Sequence, residues 1–176
     1  MYPFLRLFLK TRAARRAGPL DPLGTHVSHH LCWPWDLDPW IELNNGRTLT
    51  LYDLGRVPMV VRNGLVDLLR RNGWGITVAG NSVRYRRRVR AFDRIEMRSR
   101  VIGWDARFFY IEQAMFVRGE CTSHMLLRSA TTSKDGIVAP ALVMAAAGQP
   151  GLSPALPDWV EAWVGADALR PWPPAI

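Results

Sequence analysis

Cysteine is scarce in this sequence: Cys32 and Cys121 are the only two in 176 residues. Two isolated cysteines make neither a disulfide framework nor metal-ligand spacing, so the chain reads as one for a reducing compartment, and a cytoplasmic location is expected. Long apolar runs are missing as well. The opening Met-Tyr-Pro-Phe-Leu-Arg-Leu-Phe-Leu-Lys falls far short of the roughly 20 residues that a bilayer span needs, and it lacks the order of a signal peptide, in which positive charge comes first. No Gly-x-Ser-x-Gly elbow is present, which argues against a serine triad built on Ser123 and His124. As neighbours on one strand these two would point to opposite faces, and both read as structural. Internal repeats and nucleic-acid motifs are absent too. Acidic residues are the scarcer charge, 15 against 23 basic, for a net charge of +8. That imbalance favours an anionic partner: nucleic acid, a membrane surface or a phosphorylated small molecule.

What is present is ordinary in bulk and unusual in one place. At 176 residues, 48% hydrophobic and 22% charged, the chain suits one soluble domain with a proper core. Eight tryptophans are unusual, and several flank the Asp38 loop within the stretch that organises the chain, Trp33 to Arg56. There Asp38 lies on a Pro- and Trp-studded loop ahead of a helix start at Asn44-Asn45-Gly46. Asn is a preferred N-cap because its side-chain oxygen accepts a free first-turn N–H. Beyond it Leu49 and Tyr52, and Leu51 and Leu54, recur at helical steps of three. A helix start aims unpaired N–H groups and a positive dipole end at whatever lies in front of it. Here that is the loop of Asp38, and a carboxylate before such donors suits attack on, or hydration of, a carbonyl.

Around this stretch the chain divides near residues 24 and 140. Residues 1–24 form a basic and apolar segment, expected to be a helix packed on its own domain. The alternative is weak contact with an anionic membrane surface, with Phe4, Leu5, Phe8 and Leu9 inserted and arginines on the headgroups. Thr25 to Cys32 alternates as a first strand, which turns His29 and His30 to opposite faces. With no carboxylate or cysteine at ligand spacing beside His26, His29 and His30, no metal is expected. Pro58 is expected to kink or end the first helix, and Val61, Leu65, Leu68 and Leu69 carry the helical pattern on to Arg71, with Asn72-Gly73 as a C-cap. From Trp74 the period changes to two. Trp74 to Val89 (with a register switch near Asn81), Ile95 to Trp104, Arg107 to Val117 and Cys121 to Thr132 read as an antiparallel meander. Residues 141–176 are an Ala- and Pro-rich extension. Pro140 to Ala147 suggests a short helix, Pro157-Asp158 opens an amphipathic one carrying Trp159, Val160, Trp163 and Val164, and Arg170 to Ile176 is a Pro- and Trp-rich tail.

Asp38, then Leu43-Asn44-Asn45, then an aromatic and acidic helix closing on Leu54-Gly55-Arg56, resembles the acyl-CoA thioesterases of the 4-hydroxybenzoyl-CoA thioesterase-like family. Their motif reads Asp, two variable residues, Gly-His-Val-Asn-Asn. This sequence keeps the Asp and the Asn-Asn and has Ile41 and Glu42 where Gly-His would stand. The resemblance covers roughly residues 30 to 140. It implies an α+β hot-dog fold, an antiparallel sheet wrapped around a central helix, and hydrolysis of an acyl-CoA thioester to free acid and coenzyme A. It implies Asp38 as nucleophile or general base, the Asn45 backbone N–H as carbonyl polariser, and Asn44 beside it in substrate binding. It also implies a homodimer or homotetramer with sites at the interface, and an exposed sheet edge asks for such pairing on its own account. No cofactor is implied apart from the coenzyme A of the substrate.

The residues admit other readings beside this one. From composition alone, Asp38 before Pro39 is an Asx-turn or cap, whereas a tryptophan-walled pocket would desolvate it and tune it as a base. Asp53, mid-helix, is the reserve catalytic carboxylate, since a second hot-dog thioesterase type uses one there. Otherwise it is an exposed or partner-facing residue paired with Arg56 at i+3. Glu42 is a further reserve, as an orienting or accepting group. Arg84-Tyr85-Arg86-Arg87-Arg88-Val89-Arg90 is the strongest charge cluster. It serves as a solvated strand face and turn without any ligand, while Arg86, Arg87 and Arg88 are the candidates to grip the phosphates of coenzyme A. Nucleic acid is disfavoured because the run is short and the other basic residues are evenly spread. The rival to an enzyme is a non-catalytic acyl- or acyl-CoA-binding scaffold on the same fold, which the missing Gly-His favours. The His-Phe-Pro-Gly type motif of hot-dog dehydratases is absent.

Overall fold

The computed structural model describes residues 2–174, so the last two residues of the Pro- and Trp-rich tail lie outside the described residues. Helix α2, Asn45–Arg62, is the element on which the rest is laid. Its Leu51, Tyr52, Leu54 and Met59 are fully buried against Ile95, Met97, Ile111, Met115, Met125 and Leu127 of the sheet. At Gly55 the helix lies closest to the strands: an added Cβ would collide with Met97 Sδ and stand 3.1 Å from Ser99 Oγ. Gln113, wholly buried, locks this contact. Its amide donates to the Tyr52 carbonyl at 2.9 Å and to Ser99 Oγ at 2.7 Å, and its carbonyl accepts from Arg56 Nη1 at 2.9 Å. A buried amide satisfied on both ends fixes the position of helix on sheet, since any slide would leave it unpaired.

The sheet contains β1 (His26–Leu31), β2 (Gly75–Tyr85), β3 (Arg94–Trp104), β4 (Phe109–Val117), β5 (Glu120–Ser133) and β6 (Gly136–Val138). All pairings are antiparallel, in the order β1-β3-β4-β5-β2 with β6 also on β5. This is the hot-dog fold. The expected four-strand meander is corrected: β3, β4 and β5 form one, but β2 pairs with β5 on the far edge. The helical segment between β1 and β2 spans the sheet, so the strands that flank it in sequence end on opposite edges. The register of β2 shifts between Val78 and Gly80, close to the bulge expected near Asn81. The strand stops at Tyr85, so Arg86, Arg87 and Arg88 stand on a loop, where the Arg86 and Arg87 N–H groups donate to the Thr122 carbonyl at 2.8 and 3.1 Å.

Pro58 neither ends nor divides the helix. It is buried, and α2 runs on to Arg62; packing of the helix on the sheet outweighs the one lost backbone bond. The interruption falls instead at Gly64, φ 74°, ahead of α3 (Leu65–Asn72), which Gly73 closes at φ 65°. Helix α4 (Pro140–Ala146) and helix α5 (Asp158–Ala168) follow the sheet. The latter lies on the outer face, with Val160 buried beside Tyr110 and Leu126 and Asp167 paired with Arg128 at 2.5 Å.

Helix α1 (Phe4–Arg16) covers the free edge of β1. Arg6 donates to the Leu31 carbonyl at 2.9 Å and Lys10 to the His29 carbonyl, while Ala14 is buried and Leu7 packs on the core. Packing on its own domain therefore holds for one face only. Phe4, Leu5, Phe8 and Leu9 stand in solvent on the other. The opposite edge, β2, is open along its length, with Ile76, Val78 and Tyr85 45–49% exposed.

Candidate active site at the start of the central helix

The site is assembled by the loop between β1 and α2. A single 3-10 turn, Pro34–Asp36, delivers Asp36 into the interior, 2% exposed. There its carboxylate accepts from the Trp33 N–H at 3.1 Å and Arg6 Nη1 at 2.8 Å, with Arg47 Nε 3.9 Å away. This buried ion pair pins the loop between α1 and α2. The chain then folds back on itself, Leu37 bridging Leu43, with the Asp38 N–H donating to the Glu42 carbonyl at 2.8 Å and the Ile41 N–H to the Asp38 carbonyl at 3.0 Å. Asp38 Oδ1 accepts from the Trp40 N–H at 2.9 Å and the Glu42 N–H at 3.3 Å. Its own loop therefore orients the carboxylate, as the Asx-turn reading expects. Ile41 sits at φ 60°, a left-handed conformation that β-branched residues rarely adopt. It occupies the glycine position of the motif, so the turn is retained in spite of the substitution, at a strain of about 1–2 kcal/mol.

One cavity of about 470 Å³ brings together Asp38, Glu42, Asn45, Arg86, Arg87 and Arg88. Residues far apart in sequence thus share a single wall. Its lining residues are mostly polar and include no tryptophan, which corrects the expectation for Asp38. Trp33 and Trp35 stack on each other at 5.0 Å, and Trp40 is 78% exposed. Asn44 is outside the cavity as well. It is the N-cap of α2, its Oδ1 accepting from the Arg47 N–H at 3.2 Å and its carbonyl from the Thr48 N–H at 2.8 Å. The N–H groups of Asn45 and Gly46 donate to nothing among the described residues; Asn45 lines this cavity and Gly46 a neighbouring hollow with Trp35 and Arg47, so the positive end of α2 is left unsatisfied. The Asn45 side chain accepts from the Tyr85 hydroxyl.

The arginines are unequal. Arg88 Nε lies 2.9 Å from Glu42 and Arg87 Nε 2.5 Å from Glu120, while Arg86 has no ion pair among the described residues. Both pairs are largely exposed and hence weak; a phosphate can replace either carboxylate.

Sequence reasoning missed part of the cavity wall. Ser123, read as structural, lines the cavity, and its Oγ shares a 2.8 Å hydrogen bond with the buried Tyr52 hydroxyl. Burial pushes that hydroxyl above the ordinary tyrosine range, so it stays protonated. The signal lies only in the register, which sets Ser123 opposite Tyr85. His124 faces the outer side, where it lies 2.9 Å from Glu112. The bond from His124 is the main cause, ahead of the Arg100 charge, that holds the Glu112 carboxyl down to about 2.

Asp53 faces a different cavity of about 400 Å³, lined chiefly by apolar side chains such as Val57, Val60, Phe109 and Ile111, and it is ion-paired with Arg56. It stands eight residues beyond Asn45, roughly 12 Å along the helix axis. His26 and His30 are buried in the interior and His29 is exposed. Burial, more than the nearby Arg62 and Lys10, lowers His26 to about 4 and His30 to about 3. Among the described residues no three His, Cys, Asp or Glu side chains cluster to hold a metal, and no helix is long and apolar enough to cross a membrane.

The family model of the thioesterase-like superfamily matches residues 32–164, three quarters of the chain. The chain belongs to this superfamily. It is 36% identical over 93 residues to Protein THEM6 of Xenopus laevis, a match covering 53% of this chain and 45% of that protein, and 32% identical over 111 residues to Protein THEM6 of Danio rerio, covering 62% and 55%. The matches thus span about half the length of these curated relatives. In fold it is similar to the DHNA-CoA thioesterase of Staphylococcus aureus, with a TM-score of 0.60 at 15% identity over 82% of this chain and 92% of that one. The superfamily match continues past residue 140 into α5, the helix laid across the outer face of the sheet.

Proposed function

We propose that the chain hydrolyses an acyl-CoA thioester to free acid and coenzyme A in the Asp38 cavity. The observation that carries this reading is the meeting, in one 470 Å³ cavity, of a carboxylate, an unsatisfied helix start and a loop of arginines. With Asp38 as general base, its carboxylate takes a proton from water as the water oxygen bonds to the thioester carbon. The carbonyl oxygen gathers negative charge and accepts from the Asn45 N–H. The carbon–sulfur bond then breaks, and the thiolate leaves with the proton that Asp38 had taken. As a nucleophile, the Asp38 carboxylate would instead displace the coenzyme A thiolate to give a mixed anhydride, which water opens to the free acid and the Asp38 carboxylate. Glu42 orients Arg88, and Arg86, Arg87 and Arg88 meet the phosphates of coenzyme A. The open β2 edge accepts the same strand of a second copy, so a homodimer or larger homo-oligomer is the working form; a 19.9 kDa particle in light scattering would rule that out.

The second reading, a non-catalytic acyl-CoA-binding scaffold, draws on the two loop N–H groups that already occupy Asp38 Oδ1. Thiol release from short- to long-chain acyl-CoAs separates the two. Hydrolysis by the parent, lost in Asp38→Asn with binding of a coenzyme A thioether retained, supports the enzyme. Binding without hydrolysis by the parent leaves the scaffold.

A further inference from the structure

Helix α1 presents two faces, and only one is used by the domain. Phe4, Leu5, Phe8 and Leu9 are 71, 71, 59 and 54% exposed. They fall at i, i+1, i+4 and i+5, a single stripe. Arg12 continues the stripe one turn on, followed by Arg15 and Arg16 in the last turn, and all three are exposed with no ion pair among the described residues. The helix cannot roll to hide this face. Arg6 is fastened to the buried Asp36 at 2.8 Å and to the Leu31 carbonyl at 2.9 Å, and Lys10 to the His29 carbonyl.

We propose that this face of α1 docks the protein on an anionic phospholipid surface, Phe4, Leu5, Phe8 and Leu9 entering the acyl boundary while Arg12, Arg15 and Arg16 meet lipid phosphates. Charge complementarity selects this occupant. Apolar side chains followed along the same stripe by unpaired cations match a layer of hydrocarbon beneath a layer of phosphate when the N-terminal turns of the helix dip into the boundary. A second copy fits less well: the four side chains offer on the order of 450 Å², about half of the roughly 800 Å² per partner that a specific protein pair buries. The chain's net charge of +8 adds attraction to the same surface. Docking here leaves the Asp38 cavity untouched, since none of the four inserted residues lines it, and the inference is independent of the reaction proposed there.

Sedimentation of the full chain with vesicles tests this. Vesicles of phosphatidylcholine containing roughly one third phosphatidylglycerol should bind the protein at least about tenfold more tightly than phosphatidylcholine alone, less so in high salt. Phe4→Ser with Phe8→Ser should weaken that binding about tenfold. Arg12→Gln with Arg15→Gln should weaken it by a comparable factor, while Arg70→Gln with Arg71→Gln, an equal loss of exposed charge on α3, should leave it within about twofold. All six positions are exposed, so thermal unfolding should match the parent. The proposal is overturned if anionic vesicles are not bound, if the two phenylalanines do not matter, or if the α3 pair weakens binding as much as the α1 pair. It is equally overturned if Phe4→Ser with Phe8→Ser lowers the particle mass in the absence of lipid, for then a second copy covers this face.

Discussion

Two aspartates near α2, Asp38 on the loop before its start and Asp53 in its middle, are treated in opposite ways. At the start, Asp38 stands on a loop whose own N–H groups orient it, beside helix donors that have no partner among the described residues and arginines whose ion pairs lie at the surface. Two turns further on, Asp53 is committed to Arg56, whose other arm is bonded to the buried Gln113. Its cavity is apolar where the first is polar. The same side chain is thus left open at the helix start and consumed by structure at mid-helix. The difference lies in what is left unsatisfied: an ion pair closed on itself has nothing to offer a substrate, while an open helix start does.

The comparison breaks most visibly in rate. Asp38→Asn keeps the shape of the loop and removes the base, so kcat should fall by about 10²–10⁴, with stability changed by no more than about 1 kcal/mol. If instead Asp53→Asn abolishes turnover and Asp38→Asn does not, the roles of the two aspartates are reversed. In stability the order should invert. Asp53→Asn leaves the largely buried Arg56 guanidinium without its carboxylate and should cost about 1–3 kcal/mol in denaturant unfolding, with kcat within a few-fold of the parent. Equal stability of the two variants would show that the Asp53 pair is as loosely held as Asp38.

Smaller effects sharpen the polar end. Arg86→Ala, Arg87→Ala and Arg88→Ala together should raise KM for acyl-CoA by about tenfold and spare kcat, the pattern for loss of uniform binding. Acyl-pantetheine, which lacks the nucleotide, should respond far less, and equal losses on both substrates would remove the arginines from the site. The smallest change concerns the strained turn. Ile41→Gly relieves the left-handed isoleucine but loosens the unfolded chain, for a net gain of at most about 1 kcal/mol, read as a rise of about 2–4 °C in Tm. A fall in Tm would mean that the exposed Ile41 side chain has a contact worth more than its strain.

Much of this molecule was legible in the chain itself, because it rests on local chemistry. The N-cap at Asn44, the glycine stop at Gly73, the alternation that buries His26, Ser28 and His30, and the motif carrying Asp38 and Asn45 each depend on neighbours within a few residues. What needed tertiary structure was every decision taken between distant segments. Pro58 stays helical because burial on the sheet outweighs one backbone bond. β2 lies beside β5 rather than β3 because the helical segment carries the chain across the sheet. Ser123 reaches the cavity wall because the register sets it against Tyr85. The loop of Arg86 to Arg88 meets Asp38 across nearly fifty residues, and the phenylalanines of α1 turn outward because Arg6 and Lys10 claim the β1 edge. Periodicity states which residues share a face, but which face is covered, and by what, is settled only when the whole chain competes for the same buried surface.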